Sequence, residues 1–220
     1  MKRITIFSGH YGSGKTNLVV NYALYQKGLG LDVSVADLDI VNPYFRTKDS
    51  EKLLSDNGIN LISLPFANTS VDLPSMPSEA YGLFERRQGQ VIIDLGGDDR
   101  GALALGRFLP RLFEENDFEM VFTVNFYRPL TTNEYEAYEV FKEIEYASRL
   151  KFTKIVNNSN LGSATTAEDV LKTVDMADRL AKLTNVECYG ISVEERLAGK
   201  ISDVVGNDRV FPLKLQEKFF

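Results

Sequence analysis

The chain has one cysteine, one histidine and no long apolar run in its 220 residues. A lone Cys188 cannot close an internal disulfide or furnish a cysteine-rich metal centre, which points to a reduced, cytoplasmic setting. Its place between Glu187 and Tyr189 in a strand-like run suits a packed thiol rather than a nucleophile. No stretch approaches the ~20 apolar residues of a membrane span. The apolar positions before Gly9 are too few for a secretory signal. Basic clusters are missing too: 25 Lys and Arg against 31 Asp and Glu leave a formal charge of −6, which opposes attraction to a phosphate backbone. Neither nucleic acid nor a membrane is an expected partner. The segment Leu213 to Phe220 is short and mixed in charge, which favours packing onto the domain over touching a lipid surface. Internal repeats and low-complexity tracts are absent.

What is present is a 44% apolar fraction, enough to fill the core of a single domain spanning residues 1–220. Short β-branched runs alternate with helix-period segments, the pattern of an α/β fold with a mainly parallel sheet and helices on both faces. Strands are predicted at Ile4–Ser8, Asp32–Ala36, Ile59–Ser63, Gln90–Asp94, Met120–Asn125, Lys154–Asn157 and Glu187–Ile191. Thr131 and Glu134 stand at capping-box spacing ahead of Tyr135, Tyr138, Phe141 and Ile144 on one helical face. Thr165 and Glu168 repeat the signal before Val170, Leu171, Val174, Ala177 and Ala181. Glu139, Glu143 and Glu145 read as a solvated face. The stretch from Ser63 to Ser78, with Pro65, Pro74 and Pro77, reads as a long loop at the carboxyl edge of the sheet, either a lid or a plain connection.

Directly after the first strand comes Gly9-His10-Tyr11-Gly12-Ser13-Gly14-Lys15-Thr16, matching G-x-x-x-x-G-K-[ST] in the strand-to-helix setting that motif requires. Glycines let backbone N–H groups close on phosphate oxygens, and the helix presents its positive end to the same anion. The predicted phosphate set is Gly9 through Thr16 together with Asn17. Lys15 is expected to reach the β- and γ-phosphates and Thr16 to offer its hydroxyl to Mg²⁺.

A cation so placed needs a carboxylate, and Val91-Ile92-Ile93-Asp94 supplies one at the end of a buried strand. Gly96 and Gly97 follow, letting the chain pass close to a γ-phosphate. Asp98, Asp99 and Arg100 come next, with Arg100 read as an ion-pair or phosphate contact. Asp37-Leu38-Asp39-Ile40-Val41-Asn42-Pro43 ends the second predicted strand, and in extended chain Asp37 and Asp39 point the same way. Asp37 is the candidate for the Mg²⁺ water shell, and Asp39 for orienting the attacking group.

These three segments resemble the nucleotide site of the SIMIBI-class P-loop NTPases, and most nearly the CobQ/CobB/MinD/ParA nucleotide-binding group. The resemblance is specific over the first hundred residues. It implies a three-layer P-loop NTPase fold, with ATP and Mg²⁺ served by Lys15, Thr16, Asp37, Asp39 and Asp94, and a homodimer sandwiching ATP. The expected activity is an Mg-dependent ATPase acting as a nucleotide switch. One position departs: ParA- and MinD-type proteins carry a second lysine where this chain has His10. The absence of Cys-x-x-Cys separates it from relatives with an iron–sulfur cluster. Asn-Lys-x-Asp, which resembles the guanine-selecting string of many P-loop GTPases, is missing, so ATP is the expected nucleotide. Asn157, with Asn158, is a candidate adenine contact or a polar turn. The alternative activity is an ATP-dependent kinase or ligase similar to dethiobiotin synthetase, with Tyr44, Phe45, Arg46 and Tyr127-Arg128-Pro129 as pocket or interface residues. Neither a protein partner nor an acceptor is named by the sequence.

Overall fold

A parallel sheet covered on both faces demands strands that are apolar almost throughout, and Ile4-Thr5-Ile6-Phe7 and Val91-Ile92-Ile93 meet that demand. The computed structural model describes residues 2–39, 47–63, 78–85, 88–98, 101 and 105–216. Its elements run β1 (Ile4–Ser8), α1 (Lys15–Gly28), β2 (Val33–Leu38), a 3₁₀ turn at Thr47–Ser50, α2 (Glu51–Asp56), β3 (Asn60–Ser63), α3 (Ser78–Glu85), β4 (Gln90–Leu95), α4 (Leu109–Glu115) and β5 (Phe118–Val124). They continue with α5 (Glu134–Ser148), β6 (Lys154–Asn157), α6 (Ala167–Lys172), α7 (Val174–Thr184), β7 (Cys188–Glu194), α8 (Glu195–Val205), a second 3₁₀ turn at Asn207–Arg209 and β8 (Val210–Leu213). The strands form one sheet in the order β3-β2-β4-β1-β5-β6-β7-β8, and every neighbouring pair is parallel.

Alternation along the strands sends successive residues to opposite faces. Ile4, Ile6, Val91, Ile93, Met120 and Phe122 pack on one side with Phe108, Leu112, Phe141 and Phe152. Phe7, Val33, Val35, Ile92 and Val121 pack on the other with Leu18, Val19, Val20 and Ala23 of α1. This is the three-layer α/β arrangement expected from the sequence. Phase then decides where the carboxylates fall: Asp37 continues the row of Val33 and Val35, and Asp94 follows Ile92, so both belong to the α1 side. Register sets Asp37 opposite Asp94, and Asp94 opposite Phe7.

The seven predicted strands are all present, with ends moved by up to three residues, and β8 is an eighth. Its Pro212 disguises it; at a sheet edge the missing N–H costs no ladder bond on the open side. The chain then packs back on α1, with Asn21 exchanging hydrogen bonds with Lys214 (2.8 and 2.9 Å) and Gln216 N donating to Asn17 Oδ1 (3.1 Å).

Several local expectations are corrected. The cap of α5 is Asn133, whose side chain accepts from Tyr135 and Glu136 N, while the Thr131 hydroxyl is buried and donates to Asn125 O. Tyr135 is consequently 67% exposed and leaves the packed face to Ala137, Val140, Phe141 and Ile144. The second capping box is Thr166 with Asp169, one residue beyond the spacing read, and the helix behind it breaks at Thr173. Glu145 is buried instead of solvated; it accepts from Phe152 N (3.1 Å) and Lys151 Nζ (2.7 Å). The segment Ile40, Val41, Asn42, Pro43, Tyr44, Phe45 and Arg46, most of the loop between Ser63 and Ser78, Asp99, Arg100 and residues 217–220 lie outside the described residues.

Candidate functional site

The strand β1 ends at Ser8 and α1 starts at Lys15, so Gly9 to Gly14 form the intervening loop at the carboxyl edge of the central strand. Gly14 occupies the N-cap with φ +83° and no side-chain cap; a Cβ there would also press into the Asn158 amide. The helix therefore begins with its first N–H groups uncapped by any side chain, the condition under which an anion is bound. Gly97 backs against Gly9 so closely that a Cβ would collide with the Gly9 carbonyl, which brings the end of β4 against the loop.

Lys15 and Thr16, at the start of α1, turn inward. Lys15 Nζ pairs with Asp39 Oδ2 at 3.2 Å, and both side chains are buried. Thr16 Oγ1 donates to Asp94 Oδ2 at 2.7 Å. Thr47 Oγ1, entering from the 3₁₀ turn after β2, donates to the same oxygen at 3.1 Å. Asp37 Oδ1 accepts from Asp39 N at 3.1 Å, which orients the Asp39 backbone. The predicted Lys15, Thr16, Asp37, Asp39 and Asp94 are thus brought together at one point.

Electrostatics follow from that crowding. Burial raises the pKa of Asp94, with Asp39 adding to it, against Lys15 and the two hydroxyl donors. Burial works against the Lys15 ammonium, yet Asp39, Asp94 and Asp37 outweigh it and hold its pKa above the ordinary lysine value. His10 has its pKa lowered by burial and then by Lys15, with Glu143 opposing.

The residues fit a divalent cation. Asp94 is fully buried and its Oδ1 finds no hydrogen-bond partner, a costly condition unless something else occupies that oxygen. Among the described residues no three His, Cys, Asp or Glu side chains gather to hold a metal unaided. Phosphate and water oxygens would have to complete the shell, as is usual for Mg²⁺.

Other expected residues sit differently. Tyr11 is 56% exposed on the loop. Asn17 turns its side chain to Gln216 N, away from the loop. Asn157 is buried with both ends of its amide engaged: Nδ2 donates to Thr173 Oγ1 and Oδ1 accepts from Ser159 N and Oγ. Asn158 is the neighbour that touches the loop, donating to Ser13 O at 2.7 Å while Ser192 Oγ donates to its Oδ1 at 2.7 Å. Two contributors went unread in the sequence, Thr47 and Ser192, which have no spacing signal. Arg128, read as a pocket or interface residue, meets the loop itself, its Nε donating to Gly12 O at 3.0 Å.

No protein-family model matches the chain, and no curated protein matches it in sequence. Solved structures resemble it in fold. FtsY from Mycoplasma mycoides is 18% identical with a TM-score of 0.58, over 88% of this chain and 61% of that one. The cell division protein FtsY from Thermotoga maritima is 19% identical with a TM-score of 0.57, over 94% and 64%. The 54 kDa signal recognition particle protein from Aeropyrum pernix, in complex with GDP, is 16% identical with a TM-score of 0.55, over 86% and 41%. The chain therefore spans less than two thirds of the length of each. At such identities the likeness establishes the fold alone, a three-layer α/β fold shared with these P-loop proteins, and does not reach the narrower CobQ/CobB/MinD/ParA group.

Proposed function

We propose that this chain is a P-loop protein of the SIMIBI class that binds a nucleoside triphosphate with Mg²⁺ and hydrolyses it slowly as a conformational switch. The observation that carries this reading is Asp94: buried, bonded through one oxygen to Thr16 and Thr47, and left with its other oxygen unpartnered beside Lys15. A carboxylate buried in this way is stabilised by a cation. In the bound form the amides of Gly9 to Gly14 would take phosphate oxygens, Lys15 would reach the β- and γ-phosphates, and Thr16 with Asp94 would hold the metal, with Asp37 serving its water shell. Mg²⁺, when bound, offsets the charge of the β- and γ-phosphates.

Lys15 cannot serve Asp39 and the phosphates equally. Polyphosphate would draw the ammonium away, and the Asp39 carboxylate would then accept a hydrogen bond from water. The water oxygen bonds to the γ-phosphorus as the bridging bond to the β-phosphate breaks, giving nucleoside diphosphate, inorganic phosphate and a proton. ATP is the proposed nucleotide, because Asn-Lys-x-Asp is absent; the GDP held by the A. pernix protein is the observation that favours guanine instead. The structural neighbours do not favour the kinase or ligase alternative; of its pocket residues Arg128 meets the phosphate loop at Gly12 O, while Tyr44, Phe45 and Arg46 lie outside the described residues. A cytoplasmic setting is proposed on the lone Cys188.

The test is phosphate release from ATP or GTP with Mg²⁺ and no acceptor, with sedimentation run in parallel to read the homodimer the sequence resemblance implies. Wild type should release phosphate slowly and Lys15→Ala should not. Equal rates in the two would sink the reading.

A further inference from the structure

The phosphate loop is short of positive charge. His10 stands where a second lysine would serve, and burial and Lys15 lower its pKa, so the imidazole is largely neutral near pH 7. Lys15 is left as the one strongly charged group of the loop, and it is paired with Asp39 at 3.2 Å before any phosphate arrives. A triphosphate carries several negative charges, so a further preorganised cation beside the loop would stabilise it.

Arg128 lies against the loop at Gly12. Its side chain is exposed, its Nε donates to Gly12 O at 3.0 Å, and among the described residues the terminal nitrogens of the guanidinium make no hydrogen bond or ion pair. The turn that carries it is fixed from several directions. Arg128 N donates to Asn125 O at 3.1 Å. The Thr131 hydroxyl donates to the same carbonyl at 2.7 Å. Tyr127 N donates to Asn125 Oδ1 at 3.0 Å, and Tyr127 Oη to Asp169 O at 2.8 Å. Asn125 is itself buried. A surface arginine held by so braced a turn has already given up much of the chain freedom that a loop side chain would otherwise lose on binding.

We propose that Arg128 is a second phosphate-binding cation supplied from within the same chain: its Nε stays on Gly12 O while the free terminal N–H groups donate to the polyphosphate in the loop. The planar fork can do both at once, which an ammonium cannot. This inference rests on the nucleotide-binding reading above. Because the arginine contacts the phosphates directly, it neutralises charge that grows on them as the bridging bond breaks, and its loss lowers kcat as well as affinity.

The experiment compares wild type, Arg128→Gln and Arg128→Lys in calorimetric titration with the Mg²⁺ complexes of ATP, ADP and AMP and in phosphate release. Glutamine can keep a hydrogen bond to Gly12 O but not the charge; lysine keeps charge and loses the fork. The expected result is that Arg128→Gln weakens ATP binding about tenfold or more and slows kcat by at least as much. AMP binding changes least, the melting temperature without nucleotide stays within about 2 °C of wild type, and Arg128→Lys recovers part of the loss. Full activity and affinity in Arg128→Gln overturns the proposal, as does an equal loss in Gln and Lys variants accompanied by a matching drop in melting temperature. A wild type that binds no nucleotide overturns the function itself, and this proposal with it; a wild type that binds and turns over, with an indifferent Arg128→Gln, overturns the proposal alone.

Discussion

Asp94 concentrates the conflict between stability and function in one side chain. Its folded pKa is raised, so the native state holds that proton more tightly than the unfolded chain does. Stability without nucleotide is therefore lost as pH rises from the unfolded value, about 3.9, through the folded one. Asn in its place keeps an oxygen to accept from Thr16 and Thr47 and carries no charge. Asp94→Asn is expected to melt higher than wild type at neutral pH, by an interval that shrinks towards pH 4, while losing Mg²⁺-dependent phosphate release; differential scanning calorimetry across that range reads both sign and slope. A lower melting temperature at pH 7 would show that the carboxylate stabilises the empty protein. At this scale the sequence was informative wherever a residue type and its spacing carry chemistry of their own: Gly9 to Thr16, Asp37, Asp39 and Asp94 converge as read. Thr47 was opaque and Arg128 was read only as a pocket or interface residue, because a hydroxyl or a guanidinium announces no partner until the fold brings Asp94 or Gly12 beside it.

Among the elements, strands were read more surely than caps. A strand such as β4 is legible because three consecutive β-branched residues fit few other environments. Caps compete over one or two positions: Thr131, Thr132 and Asn133 all offer an oxygen, and Asn133 takes the role because Thr131 is buried against the turn after β5. Glu145 shows the same limit. As one of a run of glutamates it was read with Glu139 and Glu143, yet two residues beyond Glu143 it stands on another face of the helix, where the chain leaving α5 folds back over it and needs an acceptor for Phe152 N. Glu145→Ala is expected to cost about 1–3 kcal/mol through that stranded amide. For a chain of this size each kcal/mol lowers the melting temperature by roughly 2–4 °C. Glu145→Gln, which can still accept, should recover most of it. An alanine variant as stable as wild type would mean that water serves Phe152 N equally well. β8 was hidden by Pro212, since what permits a proline there is its place at the sheet edge, a property of the assembled sheet and not of the local string.

For the molecule as a whole, two apolar faces of one sheet supply the packing, and the site lies at the carboxyl edge where β1, β2 and β4 end. Binding there stabilises the entire fold by mass action, about 2.7 kcal/mol at a hundredfold excess of ligand over Kd. The melting temperature should rise with ATP and Mg²⁺, less with ATP and a chelator, and less again with GTP; a larger rise with GTP would transfer the proposal to guanine. The layered α/β architecture was readable from strand–helix rhythm alone, while the order of strands was not, because nothing local in β1 states that β4 and β5 will flank it.

One clasp bears on how such a molecule comes into being. Helix α1 carries the phosphate-gripping residues and leaves the ribosome well before β8, yet Asn17 and Asn21 on it also bond to Gln216 and Lys214, about two hundred positions further on. A nascent chain halted short of those residues would hold the loop without its clasp, so newly made protein should acquire its full grip on nucleotide only once translation has passed the last strand.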